Sequence, residues 1–174
     1  MMNWRGLFTA ASLLMLSACA FSTKGEAGLP LKALVVDAET GQPLEGVVVL
    51  AYWVRYTASL GGWAGGKLND SEEALTGADG RFKIRPRRSY TIPGMTKVTG
   101  PEMLIFKPGY GRWRYRSAGE DPIVALPPPR TREERLKFYD EIIRPTGTVP
   151  PDRMKRLTDA WLEERRYLGL GGQR

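Results

Sequence analysis

The most strongly β-branched stretch of the chain is Leu31–Val54, LKALVVDAETGQPLEGVVVLAYWV, in which two apolar runs flank a polar connection carrying Gly41 and Pro43. Because β-branched residues favour strands and Gly and Pro favour turns, this stretch predicts a β-hairpin-like entry into an all-β domain. The second run, Val47–Val54, is apolar at successive positions, not only at alternate ones. A strand of that kind belongs inside a sheet that is covered on both faces.

The segment that follows, Arg55–Asp70, carries four glycines around Trp63 and predicts a long loop, because glycine weakens the interior of a strand or helix. Trp63 is then either a lid packed on the domain or an exposed binding aromatic. The packed interpretation is favoured, because Trp usually buries most of its surface.

Further strands are predicted where polar and apolar residues alternate or where short apolar runs end at turn residues. In Arg81–Arg85 this alternation points Phe82 and Ile84 inward. The other predicted strands lie in Met103–Tyr110, Arg112–Arg116 and Pro122–Leu126, and the last one stops against Pro127, Pro128 and Pro129.

Beyond the three prolines the apolar residues recur at helical spacing. Thr131 and Glu134 fit a capping box, with Thr131 at the cap and Glu134 reaching back. Two short amphipathic helices are predicted, with these apolar positions: Leu136, Tyr139, Ile142 and Ile143, then Met154, Leu157, Trp161 and Leu168. Such helices should pack on each other and on the β domain. The alternative is a helix pair that binds a membrane surface or a partner.

Three motifs in the β region resemble the carboxypeptidase regulatory-like, or transthyretin-like, family. Their residues are Asp37, Thr40, Gly41, Pro43, Gly46, Val47 and Val49, then Thr76, Gly80 and Phe82, then Lys107, Pro108, Gly109 and Tyr110. The resemblance implies a mainly β fold, a transthyretin-like or Ig-like antiparallel β-sandwich, followed here by a C-terminal appendage of two short helices.

The N-terminus has the layout of an export signal, with Arg5 followed by an apolar run that is too short to span a bilayer. Its end, Leu16-Ser17-Ala18-Cys19, resembles a bacterial lipobox, in which the Cys thiol receives diacylglycerol and cleavage makes Cys19 the first residue. The alternative is an ordinary secretory signal that contains a cysteine. Ala20 occupies the position where Asp would resemble an inner-membrane retention signal, so the resemblance favours an outer-membrane location facing the periplasm.

These patterns divide the chain into four parts. Residues 1–18 are the expected lipoprotein signal peptide, 19–30 the lipidated Cys and a flexible tether, 31–127 the carboxypeptidase regulatory-like sandwich, and 128–174 the proline-bounded helical appendage. Twelve extended residues reach only about 40 Å, so the domain should sit close to the membrane.

The chain contains no histidine, which excludes Ser-His-Asp and Cys-His catalysis and His-ligated zinc. The zinc carboxypeptidase and hydroxyisourate hydrolase activities found among proteins with this type of domain depend on histidines, so the resemblance does not carry them over. The acidic pairs Glu72-Glu73 and Glu120-Asp121 lie in predicted loops and are interpreted as solvated. No enzyme activity and no cofactor are therefore expected. An enzyme that uses carboxylate, Lys or Tyr groups is the alternative.

With 26 Lys plus Arg against 19 Asp plus Glu, the chain carries a formal charge of +7 and favours anionic partners. Two predicted strands alternate cations with apolar residues and would form one positive face if they shared a sheet. These cations are Arg81, Lys83, Arg85, Arg112, Arg114 and Arg116. The alternative is that they are solvated positions that prevent aggregation.

A second set of candidates consists of aromatic residues that could form a sugar-binding platform: Tyr52, Trp53, Tyr56, Trp63, Tyr90, Tyr110, Trp113 and Tyr115. Strand alternation instead favours core positions for Trp113 and Tyr115. The sequence thus predicts an envelope lipoprotein that acts as a non-catalytic binding or structural module. Its expected partners are the membrane, through the anchor, and an anionic lipid, a glycan or another envelope protein, but not nucleic acid.

Overall fold

A computed structural model describes residues 31–87, 89–117, 122–143 and 147–170, with the backbone alone at 115–117, 142 and 143. These residues form seven strands: β1 (Lys32–Asp37), β2 (Val48–Ser59), β3 (Gly62–Leu75), β4 (Arg81–Lys83), β5 (Thr96–Phe106), β6 (Arg114–Ser117) and β7 (Ile123–Leu126). Two helices follow, α1 (Arg132–Ile143) and α2 (Lys155–Tyr167), and a 3₁₀ turn at Pro151–Arg153 lies between them.

The strands form two sheets. Sheet A has the order β4-β1-β7-β6, and sheet B has the order β3-β2-β5. Neighbouring strands are antiparallel except β1 and β7, which run parallel, with Leu34 opposite Ile123. The prediction of a mainly β chain that ends in two helices is therefore confirmed.

The two sheets share one apolar cluster, which draws on β1, β4 and β7 from sheet A and on β2 and β5 from sheet B. Its members on β2 are Val49, Ala51 and Trp53, and Val47 joins them from the position just before the strand. Burying residues of this size contributes roughly 1.5–3 kcal/mol each, so this cluster is the main source of cohesion between the sheets.

A second apolar cluster covers the opposite face of sheet B. Its β2 members are Val48, Leu50, Tyr52 and Val54, and α2 contributes Leu157 and Ala160. The sequence prediction that this strand is covered on both faces is confirmed, and α2 supplies the second cover.

The prediction of a long loop over Arg55–Asp70 is wrong. This segment contains the far halves of β2 and β3, which pair as a hairpin as far as Ser59 and Gly62. The ladder shifts register where Gly65 and Gly66 face the single residue Tyr56, and Gly65 has a φ of +66°. Glycine accommodates that conformation, so the glycines form a bulge within the strand.

The prediction of an opening β-hairpin is also wrong, because β1 and β2 lie in different sheets and do not pair. The Asp37 carboxylate accepts hydrogen bonds from the backbone N–H groups of Glu39 and Thr40, both at 2.8 Å, and these bonds stabilise a turn. After the turn, Pro43 forms an isolated β-bridge with Val36. The chain then crosses to sheet B at Val47. The turn was predicted correctly, but not the partners of the strands that it joins.

Side chains fix the two helices to the β region and to each other. The Thr131 hydroxyl accepts the Glu134 N–H at 3.1 Å, which confirms Thr131 as the cap, whereas the Glu134 carboxylate reaches back to the N–H of Arg130, one residue before the cap. The buried carboxylate of Glu164 on α2 accepts bonds from the Arg135 guanidinium of α1 and from the N–H of Gly109 at 2.9 Å. The rings of Tyr139 and Trp161 also stack, with centroids 5.0 Å apart.

We predict that Leu157→Ala lowers the free energy of unfolding by about 2–5 kcal/mol, because it leaves a cavity between α2 and sheet B. Leu162→Ala on the same helix is the matched control, since Leu162 is 39% exposed whereas Leu157 is 2% exposed. The control should change stability by no more than about 0.5 kcal/mol. Urea unfolding of the two variants measures both, and equal effects would contradict the packing of α2 on the sheet.

Candidate functional site

The predicted basic residues lie on one sheet but at its opposite edges. Arg81 and Lys83 are exposed on β4, and Arg114 is exposed on β6. Because β1 and β7 separate these edge strands, the two groups are about 14 Å apart at ordinary strand spacing. They therefore form two basic groups and not one continuous cluster.

The remaining predicted cations have separate surroundings. Arg85 follows β4 and lies 4.0 Å from the Glu72 carboxylate. Arg112 is exposed just before β6, and Arg116 lies in β6, where only the backbone is described. Lys32, which sequence reasoning missed, is exposed on β1 directly opposite Lys83. Its position opposite Lys83 depends on the order of the strands in the sheet, which the pattern of polar and apolar residues along the sequence does not specify.

The acidic pair Glu72-Glu73 lies on β3 and not in a loop, which corrects the prediction. Adjacent residues on a strand point to opposite faces, so the two carboxylates diverge. Glu72 pairs with Arg87 at 3.2 Å, whereas Glu73 accepts the N–H groups of Arg156 and Leu157 at the start of α2 at 3.0 and 2.8 Å. Both acids therefore have structural partners, on opposite faces of the strand. Glu120 and Asp121 lie outside the described residues.

Among the described side chains, the candidate aromatic residues do not gather on one surface. Tyr52 and Trp53 are buried in different clusters, and Tyr110 donates to the Asp37 carboxylate at 3.1 Å. Only the backbone of Tyr115 is described. The favoured interpretation of Trp63 is wrong, because its side chain is 45% exposed near the end of the hairpin.

A cavity of about 340 Å³ lies beside β5, the edge strand of sheet B. Its walls come from β5, from Tyr52 of β2, from the segment before β6 and from α1, and they combine apolar surface with charges of both signs. The lining residues used below are Tyr52, Glu102, Arg112, Trp113, Phe138 and Glu141. The volume is at the lower end of the range for ligand sites. No described strand pairs with the other side of β5, and four successive residues of this strand, 102–105, line the cavity.

Tyr52 and Glu102 form the polar contact of this cavity. The Tyr52 hydroxyl donates to the Glu102 carboxylate at 2.5 Å. Burial raises the pKa of Tyr52, and the bond to Glu102 raises it further, because the neutral phenol is favoured in both cases. A general acid or base works best with a pKa near the working pH, and the shift takes this phenol further from it. The pair is therefore suited to orienting a ligand.

A second depression, of about 360 Å³, lies at the β4 edge of sheet A. Three cations line it, Lys32, Arg81 and Lys83, together with Asp79 and apolar residues such as Phe82. Part of the predicted basic set is thus gathered at a concave surface. Such a concentration of positive charge favours an anionic partner.

Cys19, the predicted lipidation site, lies outside the described residues. Within the described ranges, none of the helices has both the length and the apolar character needed to cross a bilayer.

Comparison with known proteins found no matching family, no matching curated protein and no matching solved structure. The functional inferences below therefore come from the residues and geometry of this chain.

Proposed function

We propose that this chain is a lipid-anchored protein of the bacterial cell envelope that binds another envelope protein without catalysing a reaction. It is held at the outer membrane through Cys19 and faces the periplasm. Its β region is a transthyretin-like sandwich, a proposal supported by the three sequence motifs and by the apolar cluster that the two sheets share.

The cavity beside β5 is the single observation that carries the binding role. An extended peptide can add to an edge strand by backbone hydrogen bonding, while neighbouring pockets receive its side chains. Here the edge of β5 borders the cavity, and its charges are Glu102, Arg112 and Glu141. Aromatic walls next to charges of both signs suit a polypeptide segment that carries apolar and charged side chains.

The alternative of an enzyme that uses carboxylate, Lys or Tyr groups has weaker support. Tyr52 lies in the cavity, but its raised pKa keeps the phenol neutral and bonded to Glu102. The acids Glu72 and Glu73 are engaged by Arg87 and by the start of α2. These contacts favour binding over proton transfer.

The anchor predicts that Cys19→Ser releases the protein from the membrane fraction and removes the added lipid mass. Each buried CH₂ of an acyl chain contributes about 0.8 kcal/mol, and two or more chains make attachment stable. Ser22→Ala is the control, because it changes a nearby small residue and keeps the Cys. Fractionation and intact-mass measurement test both variants, and an unchanged Cys19→Ser protein would contradict lipidation.

The binding role predicts discrete cross-linked products when a photoreactive amino acid replaces Glu141 in living cells. Glu141 is exposed and lines the cavity. Glu39 is the matched control, an exposed glutamate in the turn that follows β1. The products should form from position 141 and not from position 39, and mass spectrometry identifies the partner. The same products from both positions, or none from position 141, would contradict a partner in the cavity.

A second candidate function is the binding of an anionic glycan, which the depression lined by Lys32, Arg81 and Lys83 favours. Reversing the charge at two of these positions, Arg81→Glu and Lys83→Glu, should weaken the affinity for an acidic oligosaccharide roughly tenfold or more, about 1.4 kcal/mol. Arg114→Glu, at the opposite edge of sheet A, is the control. Calorimetric titration with an acidic and a neutral oligosaccharide measures the effect, and equal affinities for the two sugars would exclude this function.

A further inference from the structure

The far end of the β2–β3 hairpin exposes a concentration of large apolar side chains. Among the described residues, eight large hydrophobic side chains are exposed, and five of them lie at this end or in the segment that leads into β5. We call this group the distal tip: Leu60, Trp63, Tyr90, Ile92 and Met95. Leu60 is fully exposed and Tyr90 is 92% exposed.

Hydrogen bonds join the two segments of the distal tip. The N–H of Ala58 donates to the carbonyl of Met95 at 2.8 Å, and Thr57 of β2 pairs with Thr96 of β5. Ala58 also pairs with Trp63 across the hairpin. The five side chains therefore belong to one end of the molecule, and α2 does not cover them because its contacts on β2 reach only as far as Val54 and Tyr56.

The charge at the distal tip is positive. Between residues 56 and 67 and between residues 89 and 99, the charged residues are Lys67 and Lys97, with no acid. The Lys97 ammonium lies 5.2 Å from the Trp63 ring centroid and 5.6 Å from that of Tyr56. An apolar group that includes Trp, Tyr and Lys has the composition of segments that settle at a membrane interface.

The chain enters the β region on the same side as the distal tip. The carbonyl of Leu31 accepts the N–H of Ile84. The segment that follows Ile84 runs along β3 towards the end of the hairpin, because Arg85 lies 4.0 Å from the Glu72 carboxylate and the Ser89 hydroxyl accepts a bond from the Asn69 side chain. Glu72 pairs with Ala51, so the hairpin extends eight residues, roughly 26 Å, beyond this level to Ser59. The turn at residues 37–42 lies at the other end of β1.

The length of the N-terminal segment agrees with this geometry. Leu31 lies twelve positions after Cys19, and twelve residues can span about 40 Å when extended. That exceeds the 26 Å by which the hairpin extends beyond the entry point. A lipid on Cys19 and the distal tip can therefore reach the same bilayer surface.

We infer that the distal tip inserts its apolar side chains into the surface of the bilayer that holds the anchor, and thereby orients the domain. This inference rests on the proposed anchoring through Cys19. Exposed apolar patches mark either protein or membrane contacts. The entry side of the chain, the reach of its N-terminal segment and the positive charge together favour the membrane.

The test uses the mature full-length protein reconstituted in vesicles of phosphatidylethanolamine and phosphatidylglycerol that contain brominated lipid. A fluorescent amino acid replaces Leu60, or Gln42 in the turn at the opposite end. Fluorescence should be strongly quenched at position 60 and not at position 42. Adding Ile92→Ser and Met95→Ser to the position-60 reporter should remove most of the quenching. Adding Leu75→Ser and Leu162→Ser, which change exposed residues elsewhere, should not.

The outcomes separate the distal tip from the anchor. Protein that floats with the vesicles but shows equal quenching at positions 60 and 42 would overturn membrane contact by the tip and leave the anchor standing. Quenching at position 60 that survives Ile92→Ser and Met95→Ser would overturn the role of these side chains. Protein that does not float would overturn both proposals.

Discussion

Strand β2 is apolar on both faces, and the rest of the structure depends on covering both of them. One face meets sheet A through Val49 and Trp53, and the other meets α2 through Leu50 and Val54. A single layer of sheet would leave one of these faces in water at a cost of roughly 1.5–3 kcal/mol per large side chain. Helix α2 therefore packs as the second cover of this strand.

Charged side chains fix the position of this cover. Glu73 on β3 binds the first N–H groups of α2, and Glu164 at the other end of the helix joins Arg135 and the N–H of Gly109. A buried carboxylate must be paired because desolvation of a lone charge is costly. Acids that a sequence search would consider for catalysis are thus engaged in holding the helix on the sheet.

The helical cover ends before the hairpin does, and this difference in length separates the two surfaces to which we assign functions. Beyond Tyr56 the outer face of sheet B carries exposed side chains such as Trp63 and Met95. The cavity beside β5 lies nearer the helices, because Phe138 and Glu141 of α1 form part of its wall. In our proposals the covered part of the sheet presents a partner site and the uncovered part contacts the membrane.

Local patterns were sufficient to predict the elements whose formation depends on neighbouring residues. The inward residues of β4, the Asp37 turn, the Thr131 cap and the two faces of β2 were all predicted, because alternation and capping act within a few residues. The glycines at 61–66 misled the prediction of β3, since their count indicates a loop whereas pairing with β2 places Gly65 in a bulge. The secondary structure of such a segment depends on the strand with which it pairs and not on its composition.

The sequence by itself determined the types of most elements, the absence of histidine and the lipobox-like motif at Cys19. Only the tertiary structure decided which residues meet. It placed Arg81 and Arg114 at opposite edges of one sheet, turned Glu72 and Glu73 to opposite faces, and brought Tyr52 to Glu102. Residues 50 positions apart, as in that last pair, come together through strand order and register, and periodicity along the chain carries no information about either.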